Sequence, residues 1–568
     1  MTEKKLTGYA SVDKPWLKYY SDEAIHAELP KTIIFDYIYK NNKDHPQDIA
    51  FLFYGKKITY KKLFAEIEKT TKAFAALGVG CGDNVAICMP AVPEAFYAIL
   101  ALNRLGANAN MLNPTFSEAQ LTDRIRESDA KVLLVLNELY GQMEKAIPAA
   151  GIKTVIACPA VNSFGMVAKI VKHIKKIPGT VDWNNFIRKG AKVAYKPAKY
   201  KPDRPAIMVY SSGTTGASKG IQLTNDGIAA TIRQYECAGF NLKRQDRYLA
   251  QIPIWFSTGI SVTMLVPLCL GITLILEPVY DFALIAKDII KYKPNFLISA
   301  MGLFEYLKRN YPQADAYREF KYAAVGGEYV APRVEEEYNR WLKGNGCVEG
   351  LHKGYGMCEC GGTVTFSTSG CNIVGSSGIP MPAVTVAAFD LNSDTELPYG
   401  ERGEIRVLTP CRMKEYYKRP DATAAYLRKD KHGNVWACTG DMGFVSEDGN
   451  VYVSGRISDS YRNTQGETIY LFDIERAILE AGAVRQCKVV SSEINGKLVH
   501  VAHVVLYCEQ DTVCNILKKV MEVCRTKLAE NHMPHLFKIY DDALPVAPSG
   551  KLDVPEMKSN ITDLIRIK

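Results

Sequence analysis

Residues 208–220, MVYSSGTTGASKG, carry an apolar strand-like run into Ser211, Ser212, Gly213, Thr214, Thr215 and Gly216, and end on Lys219. Side chains this small let a backbone approach a polyanion closely. Their N–H groups and hydroxyls donate to phosphate oxygens, and Lys219 adds a compact positive charge. The pattern therefore predicts a triphosphate cradle. Gly220 follows the lysine where the commoner nucleotide loop has a Ser or Thr for magnesium, which argues against an ordinary NTPase motor or kinase.

The loop resembles the signature of the adenylate-forming (ANL) superfamily, which includes acyl-CoA synthetases, peptide-synthetase adenylation domains and beetle luciferases. Further motifs follow in the order of that family. KGYGMCECGG, residues 353–362, resembles its second nucleotide motif. The resemblance implies that Tyr355, after Gly354, stacks on adenine and that Glu359 holds Mg2+. The family usually has Thr at Cys358, so a weaker thiol donor stands where a hydroxyl meets the α-phosphate. Gly326, Gly327 and Glu328 match a stretch that borders the adenine pocket. TGD at 439–441 and SGR at 454–456 imply a ribose site, with Asp441 accepting both hydroxyls and Arg456 beside it. Near the carboxyl terminus, LPVAPSGKLD, residues 544–553, places Lys551 where the family lysine bonds the reacting carboxylate and the α-phosphate.

Together these parts imply that a carboxylate oxygen attacks the α-phosphorus of ATP, pyrophosphate leaves with magnesium, and an acyl-adenylate remains. Positioning and charge stabilisation suffice for that step, and the motifs supply no nucleophile. Transfer to the thiol of CoA is the implied second step, after a small domain rotates about a hinge at Ser458. Gly466-Glu467-Thr468 resembles long-chain fatty acyl-CoA synthetases, although Gln465 replaces a glycine. Amino-acid-activating relatives carry an Asp early in the segment matching IPIWFSTG, residues 252–259. Here Trp255 and Phe256 fill it ahead of Gly259, and an apolar wall offers a substrate ammonium no partner. A fatty or aryl acid is the expected substrate. Loading of a carrier-protein phosphopantetheine, and a degenerate nucleotide-binding protein, are the alternatives.

The elements that must position these residues are legible as short apolar runs alternating with helical patterns. Runs at 85–89, 131–136, 153–158, 206–210 and 272–276, with the helix PEAFYAILALNRLG at 93–106 between them, predict parallel sheets covered on both faces. Past Pro380 the closely spaced runs VTVAAFDL, GEIRVL and NVYVSG predict a small β-rich subdomain. From Ser458 a shorter mixed segment begins. The expected fold is α/β, with two αβ sheet subdomains and a small β-barrel in residues 1–457, and a mobile smaller α/β domain in 458–568.

Composition narrows the class. A chain of 568 residues exceeds one compact core. Fifteen cysteines without a signal-like start suit reduced thiols in a cytoplasm. Cys347, Cys358, Cys360 and Cys371 lack C-x-x-C spacing and are read as packing residues. The net charge of +9 suits an enzyme of ATP and anionic acids. No nucleic-acid module is visible. One local basic cluster, residues 164–176, has the spacing of an amphipathic helix, on the protein itself or on an anionic membrane. The apolar run 260–276 contains Pro267 and Gly271 and predicts a buried helix then strand. Expected partners are a small carboxylic acid, ATP and CoA or a carrier protein, with at most peripheral membrane contact, for a monomer or homodimer.

Overall fold

A computed structural model describes residues 6–160, 176–211, 218–462, 467–494, 496–507, 512–546 and 552–567. Each apolar run above becomes a strand. Asn84–Cys88, Val132–Leu136, Thr154–Cys158 and Pro205–Tyr210 lie in one seven-stranded sheet, and Thr273–Leu276 in a nine-stranded one. The six central strands of the larger sheet run parallel, in the order Leu351–Tyr355, Tyr322–Gly326, Phe296–Ser299, Arg247–Ala250, Thr273–Leu276 and Ile49–Phe53. Near-continuous Val, Ile, Leu and Ala runs are what strands covered on both faces require. In these two sheets antiparallel pairing is confined to the edges, such as Gly220–Thr224 on Pro205–Tyr210.

Helix Pro93–Leu105 is buried along nearly all its length, so its seat must be closely fitted. It ends on Gly106 at φ 73°, in the left-handed region that favours glycine. A Cβ there would lie 2.9 Å from Ala198 Cβ and 3.0 Å from Arg204 Nη1. The run 260–276 resolves into a π-helix at Thr258–Leu265, a short α-helix at Val266–Cys269 and the strand Thr273–Leu276. Within that run Pro267 stands at the first turn of the α-helix, where its missing N–H costs nothing.

Past Pro380, Thr385–Phe389, Gly403–Leu408, Leu427–Lys429, Val435–Val445 and Val451–Arg456 form a five-stranded antiparallel sheet. The final segment has a three-stranded sheet of Val484–Ile494, Lys497–Leu506 and Leu536–Tyr540. Helices Leu471–Glu480 and Val513–Lys527 share an apolar cluster of their own with it. This segment meets the body of the chain through polar contacts. Arg485 lies 3.4 Å from Glu305, and Arg476 Nη2 donates to the Val453 carbonyl at 2.8 Å.

Two buried imidazoles make the carboxyl-terminal segment acid-sensitive. His500 and His503 are both held down at about 4, first by burial, then by neighbouring cations and imidazoles: His535 and His532 for His500, Lys538 for His503. An unfolded chain takes up these protons near 6.5, so below that pH it binds more of them than the folded chain. Stability contributed by neutral burial is complete above pH 6.5 and is lost as pH falls towards 4, at on the order of 2–3 kcal/mol per imidazole. The urea midpoint of this segment is expected to fall between pH 7 and pH 5, and the His500→Gln, His503→Gln double variant to lose most of that dependence.

Candidate active site

The Ser/Thr/Gly loop is flanked by strands whose antiparallel pairing runs to the Tyr210–Gly220 pair. Its neck is sealed by Ser211 N–H donating to the Lys219 carbonyl at 3.0 Å and Lys219 N–H donating to Ser211 Oγ at 3.1 Å. Ser218 Oγ also donates to the Ser211 carbonyl at 2.6 Å. Ser212, Gly213, Thr214, Thr215 and Gly216 lie outside the described residues. The Lys219 ammonium sits 4.7 Å from the ring centroid of Tyr416, within cation–π range.

Tyr416 is a residue the sequence motifs did not point to. Its hydroxyl donates to Glu359 Oε1 at 2.8 Å, so one side chain touches both the loop lysine and the expected metal ligand. Burial, then the Glu359 charge, pushes its phenol well up and keeps the hydroxyl a donor. The segment around it is stitched in place by backbone bonds. Lys414 N–H donates to the Gln222 carbonyl at 2.9 Å, Tyr417 N–H to Gly220 at 2.7 Å, and Met413 N–H to Glu359 at 2.6 Å. Its sequence signal is slight: a doubled Tyr416-Tyr417 shortly before Pro420, which opens helix Pro420–Tyr426.

Glu359 stands in the 3-10 turn Cys358–Cys360, just past strand Leu351–Tyr355. The Tyr355 hydroxyl donates to Asp441 Oδ2 at 2.5 Å, and Arg456 Nε lies 3.0 Å from Asp441 Oδ1. The ring expected to meet adenine is thus also fastened to the carboxylate expected to hold the ribose. Asp441 is buried, and burial raises its carboxyl against the opposing pull of Arg456. A carboxylate has about four acceptor sites, and these two partners leave room for two more donors. Arg456 Nη1 is held by the Thr439 carbonyl at 3.0 Å. Ser458 follows in an exposed turn. Lys551, like Gln465 and Gly466, lies outside the described residues.

The remaining residues leave the carboxyl ends of the parallel strands, where open α/β sheets bind ligands. Gly326 pairs with Gly354, so Gly327 and Glu328 depart beside Tyr355. Glu328 Oε1 accepts the N–H of Met301 at 2.5 Å, at the first residue of helix Met301–Asn310. Trp255 and Phe256, half-buried, follow strand Arg247–Ala250. Gly259 is required by contact: a Cβ there would lie 2.0 Å from the Pro253 carbonyl oxygen. Thr258 Oγ1 donates to the Gly362 carbonyl at 3.3 Å, which sets this apolar segment against the one bearing Glu359. Among the described residues no group of three or more His, Cys, Asp or Glu is placed to hold a metal ion.

A family model for AMP-binding enzymes matches residues 38–417. The long-chain-fatty-acid–CoA ligase of Bacillus subtilis (strain 168) is 26% identical over 561 residues, covering 95% of this chain and 96% of that protein. The long-chain-fatty-acid–CoA ligase of Escherichia coli O6:H1 is 26% identical over 527 residues, covering 89% and 90%. Among solved structures, the anthranilate CoA ligase AuaEII in complex with anthranoyl-AMP superposes with a TM-score of 0.80 at 19% identity, covering 94% of this chain and 98% of that one. ATP-bound MatB from Rhodopseudomonas palustris does so with a TM-score of 0.78 at 22% identity, covering 93% and 99%. These two share the fold.

Proposed function

The chain belongs to the AMP-binding enzyme family, and on that footing we propose that it activates a carboxylic acid with ATP and passes the acyl group to the thiol of CoA. The observation that carries this is two sets of direct contacts, Lys219 and Glu359 on Tyr416, and Tyr355 and Arg456 on Asp441, which Tyr355 and Glu359, four residues apart, bring side by side. The names of the relatives, CoA ligases, agree with it.

In this proposal the carboxylate oxygen attacks the α-phosphorus of ATP, the bond to the β-phosphate oxygen breaks, and pyrophosphate leaves. Tyr355 meets adenine, while Asp441 accepts the ribose hydroxyls and Arg456 keeps that carboxylate ionised and oriented. The loop from Ser211 to Lys219 cradles the triphosphate. Lys551 offsets charge gathering on the reacting oxygens. Glu359 is a hard oxygen donor with no cationic side chain within 4.0 Å among the described residues, which suits Mg2+ shared with phosphate oxygens. Bound there, Mg2+ would neutralise phosphate charge. The thiol of CoA then attacks the acyl carbon and AMP leaves, with residues 458–568 moving about Ser458 against residues 1–457.

Trp255 and Phe256 favour an apolar acid, fatty or aryl. Residues 252–259 hold no carboxylate to pair with an amino acid's ammonium. Pyrophosphate release measured across fatty, aryl and amino acids, with and without CoA, tests this. An acyl-CoA product from an apolar acid supports it. Release without any CoA thioester would point to carrier loading, and preference for an amino acid would overturn the substrate class.

Tyr416→Phe keeps the ring under Lys219 and removes the donor to Glu359. A hydrogen bond to a charged group is worth about 1.5–3 kcal/mol, so kcat is expected to fall at least about tenfold. Steady-state rates at several magnesium concentrations, with a melting curve to confirm an unchanged fold, check it. Tyr416→Leu, which also removes the ring, should cost more.

A further inference from the structure

Between Lys169 and Arg204 stand eleven Lys and Arg against only Asp182 and Asp203, a surplus equal to the whole chain's net charge of +9. The remaining residues therefore balance to zero. Besides the basic cluster at 164–176 there is a longer run from Arg188 to Arg204, all of which is described. Residues 164–175 lie outside the described residues.

From Ala191 to Asp203 the chain forms neither helix nor strand. Its apolar and aromatic side fastens it to the body. The Tyr195 hydroxyl donates to Glu68 Oε2 at 2.6 Å, Ala198 N–H to the Arg104 carbonyl at 2.7 Å, and Tyr200 to Asp226 Oδ1 at 2.5 Å. The cations take the other side. Arg188, Lys189, Lys192, Lys196, Lys199 and Lys201 are all exposed, and among the described residues none lies within 4.0 Å of a carboxylate. Glu68 is engaged by Arg104 and Tyr195, Asp226 by Tyr200, and Asp182 by the amides opening helix Trp183–Gly190, which leaves Asp203 as the one acid within the strip itself.

We propose that this strip, Arg188 to Arg204, is a docking face for an anionic lipid bilayer. Three features select a bilayer over other anions. From Lys192 to Arg204 the charges recur every two to four residues along non-helical chain, so they form an extended row, of which only Lys196, Lys199 and Arg204 share a cleft. The interleaved tyrosines are half-buried and tied to carboxylates through their hydroxyls, and the Tyr195 ring already meets the Arg104 guanidinium at 5.3 Å, which makes them poor stacking platforms for a single-stranded nucleic acid. In sequence the strip lies eleven residues past 164–176, whose sequence alternates Lys169, Lys172, Lys175 and Lys176 with Met166, Val167, Ile170, Val171 and Ile174, the pattern of interfacial segments. A cleft of about 490 Å³ beneath the strip, lined by Lys196, Lys199 and Arg204 among small apolar residues, offers room for a headgroup. Among the described residues no helix is long and apolar enough to cross a membrane, so the contact is peripheral.

Sedimentation of the full-length protein with vesicles tests this, comparing phosphatidylcholine alone with phosphatidylcholine carrying about a third phosphatidylglycerol. Binding to the anionic vesicles alone is expected, weakening steeply between roughly 0.1 and 0.5 M salt. Each cation near an anionic surface contributes roughly a fivefold gain in partitioning, so the quadruple variant Lys192→Glu, Lys196→Glu, Lys199→Glu, Lys201→Glu should bind at least ~10²-fold more weakly, with an unchanged melting temperature. The same four positions as Gln serve if the reversed variant does not fold. Equal binding to both vesicles, no vesicle binding, retention on duplex DNA in place of vesicles, or loss only on Ile170→Asp with the Lys variants unaffected would each overturn the assignment.

Discussion

Asp441→Ala is expected to raise the KM for ATP by about 10²-fold or more while lowering stability only modestly. Asp441 is the buried acceptor on which the Tyr355 hydroxyl and the Arg456 guanidinium both depend. Each hydrogen bond from a ribose hydroxyl to a charged carboxylate is worth about 1.5–3 kcal/mol, and two would be lost together. Breaking a fully buried ion pair costs about 3–5 kcal/mol, but the Arg456 side chain is 53% exposed and water can re-solvate it. The structural loss should therefore be nearer 1–2 kcal/mol, mostly from Tyr355. Kinetics against ATP, beside thermal melting, separate the two effects. A variant that binds ATP normally would remove Asp441 from the nucleotide site.

Lys551→Ala should act differently, lowering kcat for pyrophosphate release by about 10²–10³ with nucleotide affinity little changed. Charge accumulates on the reacting oxygens only as the carboxylate closes on phosphorus, so an ammonium aimed there favours the transition state over the bound substrates. Direct ATP titration of the variant should thus resemble the parent, in contrast to Asp441→Ala. Loss of ATP affinity equal to the loss of rate would make Lys551 a ground-state binder.

Much of the scaffold was legible because buried parallel strands advertise themselves. VLLVL at Val132–Leu136 and TVIAC at Thr154–Cys158 are continuous apolar runs, and no other element of that length suits both covered faces of a sheet. The candidate site was marked in the sequence where chemistry demands particular side chains in short order, as at Tyr355 to Glu359 and in the Asp441 and Arg456 motifs, and the structure brings Tyr355, Asp441 and Arg456 into contact. What escaped depends on long-range geometry. Tyr416 stands 57 residues from Glu359, and its role rests on two backbone crossings to Gly220 and Gln222 that no local pattern records. The bond from Tyr355 to Asp441 spans 86 residues and was equally invisible. The exposed lysine strip was missed for another reason. Its charges have no helical period, and each alone looks like a solvated surface lysine; only the run of one sign with no carboxylate partner among the described residues sets them apart.

The most direct test of the central claim is isotopic. An apolar acid carrying ¹⁸O in its carboxylate is turned over with ATP and CoA, and the AMP and pyrophosphate are weighed by mass spectrometry. Attack of that carboxylate on the α-phosphorus predicts one ¹⁸O in each AMP and none in pyrophosphate, because thiolysis at the acyl carbon leaves the bridging oxygen on phosphorus. Unlabelled AMP, or label recovered in pyrophosphate or orthophosphate, would contradict adenylate formation.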